Sequence, residues 1–217
     1  MHHILFNPPI ESNYLGHIMA EIYKDKVYDA YIPQKKEGTL AIDIGANLGL
    51  VTYFLSQRFE KVISVEPSTE HFDLLSKMCL MNELDNVLLV KRAIFIKNGN
   101  FAFGGPDNNK TMRSLHMATW QDQKPLETVQ AITMDQLFEE NKIEHCDLLK
   151  LDIEGSEVEV FSSGGFAKVA PKIDTIVAET HAWNGRHPNQ IKDALKNNGF
   201  EVKKIENDAS LFVAVRK

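Results

Sequence analysis

The chain has 217 residues, 43% hydrophobic and 25% charged, with a net charge of −6. These are globular values for a chain long enough to bury a sizeable core, and the acidic balance argues against nucleic acid or an anionic membrane as partner, since both select basic surfaces. Cys79 and Cys146 form no disulfide framework or zinc motif. No apolar run approaches the ~18–20 residues of a membrane span. The opening MHHILFNPPIESNY lacks the apolar stretch of a signal peptide, so a cytoplasmic setting is expected.

Residues 1–35 read as a lead-in, with a loose helical rhythm through Ile18 and Ile22. TLAIDI (39–44) is a buried apolar strand, LGLVTYFLSQRF (48–59) a helix and KVISVE (61–66) a second strand. STEHFDLLSKMCLMNEL (68–84) is an amphipathic helix, with Pro67 making the turn before it and Ser68 as its N-cap. NVLLVKRAIFI (86–96) holds a third strand and a short fourth. Residues 97–127 break the rhythm. They are rich in Gly, Asn, Asp and Pro, and a connection this long is usually functional or disordered. TMDQLFEENK (133–142) returns to helix, capped by Thr133. CDLLKLDIEG (146–155) is a strand ending in acids, and SEVEVFSSG (156–164) a short helix stopped by Gly164. KIDTIVAETH (172–181) is a strand and HPNQIKDALKNNG (187–199) a helix. FEVKKIE and LFVAVRK make a closing hairpin. The alternation predicts an α/β fold in one domain, 1–217: a mostly parallel sheet with helices on both faces and one antiparallel strand. Ligands of such sheets bind at the carboxyl ends of the strands.

Those ends are acidic: Asp43, then Glu66, then Asp152 and Glu154, then Glu179 with His181. The first turn, DIGANLG, has glycines only at 45 and 49. It lacks the third glycine of a dinucleotide loop and the Lys-Ser/Thr of a phosphate-binding loop. A carboxylate rim repels phosphate and suits a cationic ligand with free hydroxyls. Glu66, at the end of the second strand, is placed to grip a ribose. S-adenosylmethionine has that ribose, a sulfonium, an ammonium and no phosphate. Asp43 as a mere turn cap and Glu66 as a solvated loop acid are the plainer alternatives. Lys150 interrupts the buried run LLKLDI and is expected to pair with a carboxylate such as Asp152 or Glu179.

AIDIGANLGLVTYFLS, VISVEPSTEHFDLL and DLLKLDIEGSEVEVFSSG resemble the D-x-G-A-N-x-G, V-x-x-x-E-P and K-x-D-x-E-G-x-E segments of the FkbM family of class I S-adenosylmethionine-dependent methyltransferases. AITMDQLFEE resembles the usual lead-in to the third segment, and the likeness runs over about residues 39–181. It implies a Rossmann-like seven-stranded sheet of order 3-2-1-4-5-7-6 with the last strand antiparallel. It also implies O-methylation of a hydroxyl on a sugar, glycan or small metabolite. Asp43, Gly45, Asn47 and Gly49 would border the methionine moiety, Glu66 the ribose, and Arg92 and Ala93 the adenine. Asp152 would sit between cofactor and acceptor.

An alcohol must lose its proton as it is methylated. His181 is the first candidate base, with Asp152 and Glu154 as alternatives. Asp152, Glu179 and His181 are of metal-ligating type, but their spacing is not diagnostic and no metal is predicted. The 97–127 insert and the loop WNGRHPNQ should cover the acceptor pocket, where Trp120, Trp183, Arg113 and Arg186 are candidate contacts; His116 and His187 are weaker histidines. The alternatives are an N-methyltransferase on the same fold or a non-catalytic nucleoside-binding module. The expected acceptor is a small molecule or glycan.

Overall fold

The computed structural model describes residues 28–105, 113–115, 125–181, 188–204 and 210–217. Its strands are β1 (Leu40–Ile44), β2 (Lys61–Val65), β3 (Val87–Val90), β4 (Ala93–Ile94), β5 (Gly99–Phe103), β6 (Glu127–Ile132), β7 (Cys146–Leu151), β8 (Ile173–Glu179), β9 (Phe200–Lys204) and β10 (Leu211–Arg216). Its helices are α1 (Leu50–Ser56), α2 (Thr69–Met81), α3 (Met134–Glu140), α4 (Glu157–Phe161), α5 (Gly164–Val169) and α6 (Pro188–Asn197). Among the described residues no helix is long and apolar enough to cross a membrane.

The main sheet has seven strands in the order β3-β2-β1-β7-β8-β10-β9. β1, β2, β3, β7 and β8 run parallel, and β10 is antiparallel to both β8 and β9. This is the expected order and direction. Because side chains alternate across a strand, neighbouring residues of the central strands feed opposite layers. Ile42, Leu149 and Ile176 pack with Leu137, Phe138, Phe161, Phe166 and Leu195. Ala41, Leu148 and Val177 pack with Phe54, Leu55, Phe59 and Tyr28. Strands buried on both faces therefore read as continuous apolar runs.

The local signals hold at the two expected caps. Ser68 accepts a hydrogen bond from the His71 amide and Thr133 one from Gln136, each at 3.4 Å. Three boundaries differ from the sequence reading. α1 begins only at Leu50, because Gly49 sits in the left-handed region at φ 91°. Gly164 starts a helix instead of stopping one, since Ser163 caps α5 by accepting from the Phe166 amide at 3.1 Å. The 97–127 insert is not all loop. β5 pairs antiparallel with β6, which pairs parallel with β4, making a second sheet of three strands. Of the lead-in, Tyr28 packs on Phe54 ahead of a 3-10 turn at Asp29–Tyr31.

Candidate active site

The loop after β1 is built by three residues in left-handed conformation: Gly45 (φ 78°), Asn47 (φ 51°) and Gly49 (φ 91°). Gly45 has a steric reason beyond its dihedral. A Cβ there would lie 1.7 Å from the Asp152 carbonyl oxygen, so this loop and the one after β7 touch backbone to backbone. The loop also spends its own donors. Gly45 and Ala46 donate to the Val65 carbonyl, Gly49 to Ala46, and Asn47 to the Glu66 carboxylate at 2.9 Å. Amides so engaged cannot cradle a pyrophosphate, which removes the main reason to read this as a dinucleotide loop.

Parallel pairing sets Asp43 opposite Lys150. Lys150 Nζ donates to the Gly45 carbonyl at 2.8 Å and lies 3.3 Å from Asp43 and 3.6 Å from Asp152. Asp43 is fully buried and also accepts from the Thr52 hydroxyl at 2.7 Å. The ion pair expected of Lys150 is there, with Asp43 as the partner not foreseen. It ties the two loops together from beneath.

At the β2 end, Glu66 is buried, and its two carboxylate oxygens accept from the amides of Asn47 and Ser68, each at 2.9 Å. Burial pushes its pKa up to about 7, against the lowering effect of those two amides. The insert closes on this end. Arg113 donates to the Ser68 hydroxyl at 2.8 Å and to Glu70, and Glu127 accepts from the Thr69 hydroxyl at 2.6 Å.

At the β7 and β8 ends a second cluster forms. His181 Nδ1 is 2.9 Å from Glu157 Oε1, and its Nε2 is 3.2 Å from Glu154 and 3.9 Å from Glu179. Nδ1 is hydrogen-bonded to Glu157, and Nε2 lies beside a Glu154 oxygen that makes no hydrogen bond among the described residues, so carboxylates on both sides favour the charged imidazolium. Burial works to lower its pKa, but the bond to Glu157 and the charges of Glu154, Glu157 and Asp152 outweigh that and hold it at about 10. Burial first, and then the Asp152 charge, raise Glu154 to about 8. Asp152, Glu157 and His181 each offer an atom within 4.8 Å of the others.

A model of the methyltransferase FkbM domain matches residues 43–202. The chain belongs to the FkbM methyltransferase family. It is 24% identical to the methyltransferase sdnD of Sordaria araneosa, over 85% of this chain and 82% of that protein. It is 21% identical to the hexuronic acid methyltransferase AglP of Haloferax volcanii, over 86% and 74%. Among solved structures, an FkbM methyltransferase from Methylobacillus flagellatus superposes with a TM-score of 0.54 at 13% identity, and the chain covers 50% of that protein's length with 88% of its own. The magnesium protoporphyrin IX methyltransferase of Synechocystis, solved with bound SAM, gives 0.55 at 12% identity, covering 99% of this chain and 88% of that one. These two likenesses establish the shared fold.

The FkbM fold thus gathers the predicted residues into two groups. Gly45, Asn47 and Glu66 join at one end; Asp152, Glu154, Glu179 and His181 join at the other. Asp43 lies beneath both and is not on the surface. Ala93 is buried in β4, and Arg92 is half-buried, its guanidinium donating to the Lys91 carbonyl. Arg113 faces Ser68 and Glu70 at the Glu66 end. His116, Trp120, Trp183, Arg186 and His187 lie outside the described residues. The sequence reading does not single out Glu157. Its signal was its place as the last acid of the D-x-E-G-x-E segment.

Proposed function

We propose that this methyltransferase uses S-adenosylmethionine to methylate a neutral hydroxyl on a sugar, glycan or small metabolite, with Glu154 as the general base. The observation that carries this is the pairing of Glu154, raised to about 8, with an imidazolium at 3.2 Å. A catalytic base works best with a pKa near the operating pH. Above about 8, Glu154 is a carboxylate able to take an alcohol proton. His181 is already protonated there, so its part is to hold Glu154 in place and to moderate the charge around it.

The cofactor supplies an electrophilic methyl on a sulfonium. Its site is proposed from the donor set: acids, spent loop amides and the Gly45 approach, all unsuited to phosphate. Glu66 would accept from the ribose hydroxyls. Gly45, Asn47 and Gly49 would line the methionine portion, with Asp152 between it and the acceptor, and the backbone at Arg92 and Ala93 would border the adenine. Asp43 would act through Lys150, fixing the loop. The Synechocystis structure with bound SAM supports the cofactor, and the hexuronic acid methyltransferase supports a sugar acceptor. Asp152, Glu154, Glu157 and Glu179 repel an acceptor carboxylate or phosphate, and a carboxylate acceptor needs no base. This favours a hydroxyl, and it disfavours nucleic acid. Because His181 fills the cationic place in the cluster, transfer is proposed to need no metal.

The test is transfer from labelled S-adenosylmethionine to neutral sugars, to uronic acids and to amines, with and without chelator. Chelator-insensitive labelling of neutral hydroxyls, lost about 10²-fold or more in Glu154→Gln, is expected. Labelling confined to carboxylates or amines would refute the acceptor class.

A further inference from the structure

We propose that Glu157 is the positioning residue of the acceptor end, locking the Glu154 loop and the His181 ring into one rigid triangle. This rests on the reading of Glu154 as base. Glu157 is 1% exposed and opens α4, where a helix-end acid would ordinarily face solvent. Its Oε1 instead turns back under the loop, accepting from the amides of Ile153 at 3.3 Å and Gly155 at 3.0 Å. Those two amides flank Glu154. Glu154 stands at φ 56° and Gly155 at φ 114°. A glutamate in the left-handed region is strained and persists only where its surroundings over-determine it. Glu157 supplies that constraint by fixing the peptide groups on either side.

The same oxygen meets His181 Nδ1 at 2.9 Å. This fixes which ring nitrogen faces inward, and it aims Nε2 at the Glu154 carboxylate, 3.2 Å away. Glu157 therefore holds the base twice: its backbone directly, and its side chain through His181. Glu154 follows β7 while His181 follows β8, and Glu157 hydrogen-bonds to both segments. Among the described residues, Glu157 Oε2 makes no hydrogen bond. Glu157→Gln can therefore leave the accepting oxygen in place for the two amides while removing the charge beside the ring. Among the described residues, ionisable groups that face His181 are Glu157 on α4, Glu154 and Asp152 on the loop after β7, and Glu179 on β8.

The experiment is an NMR titration of the His181 ring nitrogens in the full chain, which needs no acceptor and so stands apart from the catalytic reading. In the unmodified protein the ring should remain doubly protonated at pH 8, with a protected Nδ1 proton. In Glu157→Gln it should titrate lower by more than about one pH unit, while binding of S-adenosylhomocysteine changes less than about threefold. The pH–rate profile for methyl transfer should move in the same variant, and Glu157→Asp, charged but shorter, should retain more of the wild-type titration than Glu157→Gln. A neutral ring at pH 8 in the unmodified protein, or an unmoved titration in folded Glu157→Gln, overturns the proposal. A normal His181 titration shift combined with full activity in Glu154→Gln overturns the base assignment instead.

Discussion

At the end of β2 a single carboxylate, Glu66, is buried and held by two backbone amides, whereas at the ends of β7 and β8 several carboxylates gather around one imidazole ring. Amides give a carboxylate fixed partial charges and leave lone pairs for other donors. That is a binding arrangement, suited to hydroxyl groups. An imidazolium gives a full charge and a proton that neighbouring acids can share. That is the arrangement proposed to move a proton. One acidic rim thus holds two different devices, and the backbone contact at Gly45 with the Lys150 bridge joins them.

The junction is where the largest effects are expected. Gly45→Ala would bring a Cβ to 1.7 Å from the Asp152 carbonyl oxygen, at a φ that an L-residue adopts only under strain. Neither backbone can yield without parting the two loops. A loss of about 4 kcal/mol or more is expected in urea unfolding, together with loss of S-adenosylhomocysteine binding. A folded Gly45→Ala protein that binds normally would show that the two ends need no contact.

Lys150→Met comes next. It leaves Asp43 buried without its cation, which typically costs about 3–5 kcal/mol. The double variant Asp43→Asn, Lys150→Met removes the stranded charge and should recover part of that loss. Full additivity of the two single losses would mean that the pair is not coupled.

How much of this was legible in the sequence differs between the two ends. The strand–helix alternation and the Ser68 and Thr133 caps followed from local periodicity and cap chemistry, while the strand order came from the family resemblance. Glu66 could be placed because it ends a strand. The Asp43–Lys150 pair could not, because its partners are distant in sequence and meet only through the register of β1 against β7. Glu157 was passed over for a related reason: its position in the chain says helix start, but its side chain turns back under the preceding loop. In the insert the signal was present and overlooked. ETVQAI alternates between exposed and buried positions at Thr128, Val129, Gln130 and Ala131, the period of a half-buried strand.

Glu66 gives a smaller effect with a definite sign. Its pKa is about 7 in the folded chain, against an ordinary 4.5. The folded state therefore holds the proton more tightly, and this contribution to stability is full below pH 4.5 and lost as pH rises through about 7. The difference corresponds to roughly 3 kcal/mol at most. Ribose hydroxyls would donate to the charged form, so thermal stabilisation by S-adenosylhomocysteine should grow between pH 6 and 8. A pH-independent stabilisation would remove Glu66 from the ribose contact. At the other end, the cation already present predicts no such gain from the ligand.

The smallest effect tests whether the two ends are separate. Ser68 caps α2 and accepts from Arg113, so Ser68→Ala removes a helix cap and one anchor of the insert at the Glu66 end. About 1 kcal/mol of stability should be lost, a fall in Tm of about 2–4 °C. Cofactor affinity should drop modestly, because the Ser68 amide that bonds Glu66 belongs to the same turn. The His181 titration should stay where it is, since neither Ser68 nor Arg113 is among the groups facing that ring. A Ser68→Ala protein whose His181 titration moved with its cofactor affinity would mean that the amide-held acid and the imidazolium cluster behave as one electrostatic unit, joined through Lys150 more tightly than their geometry requires.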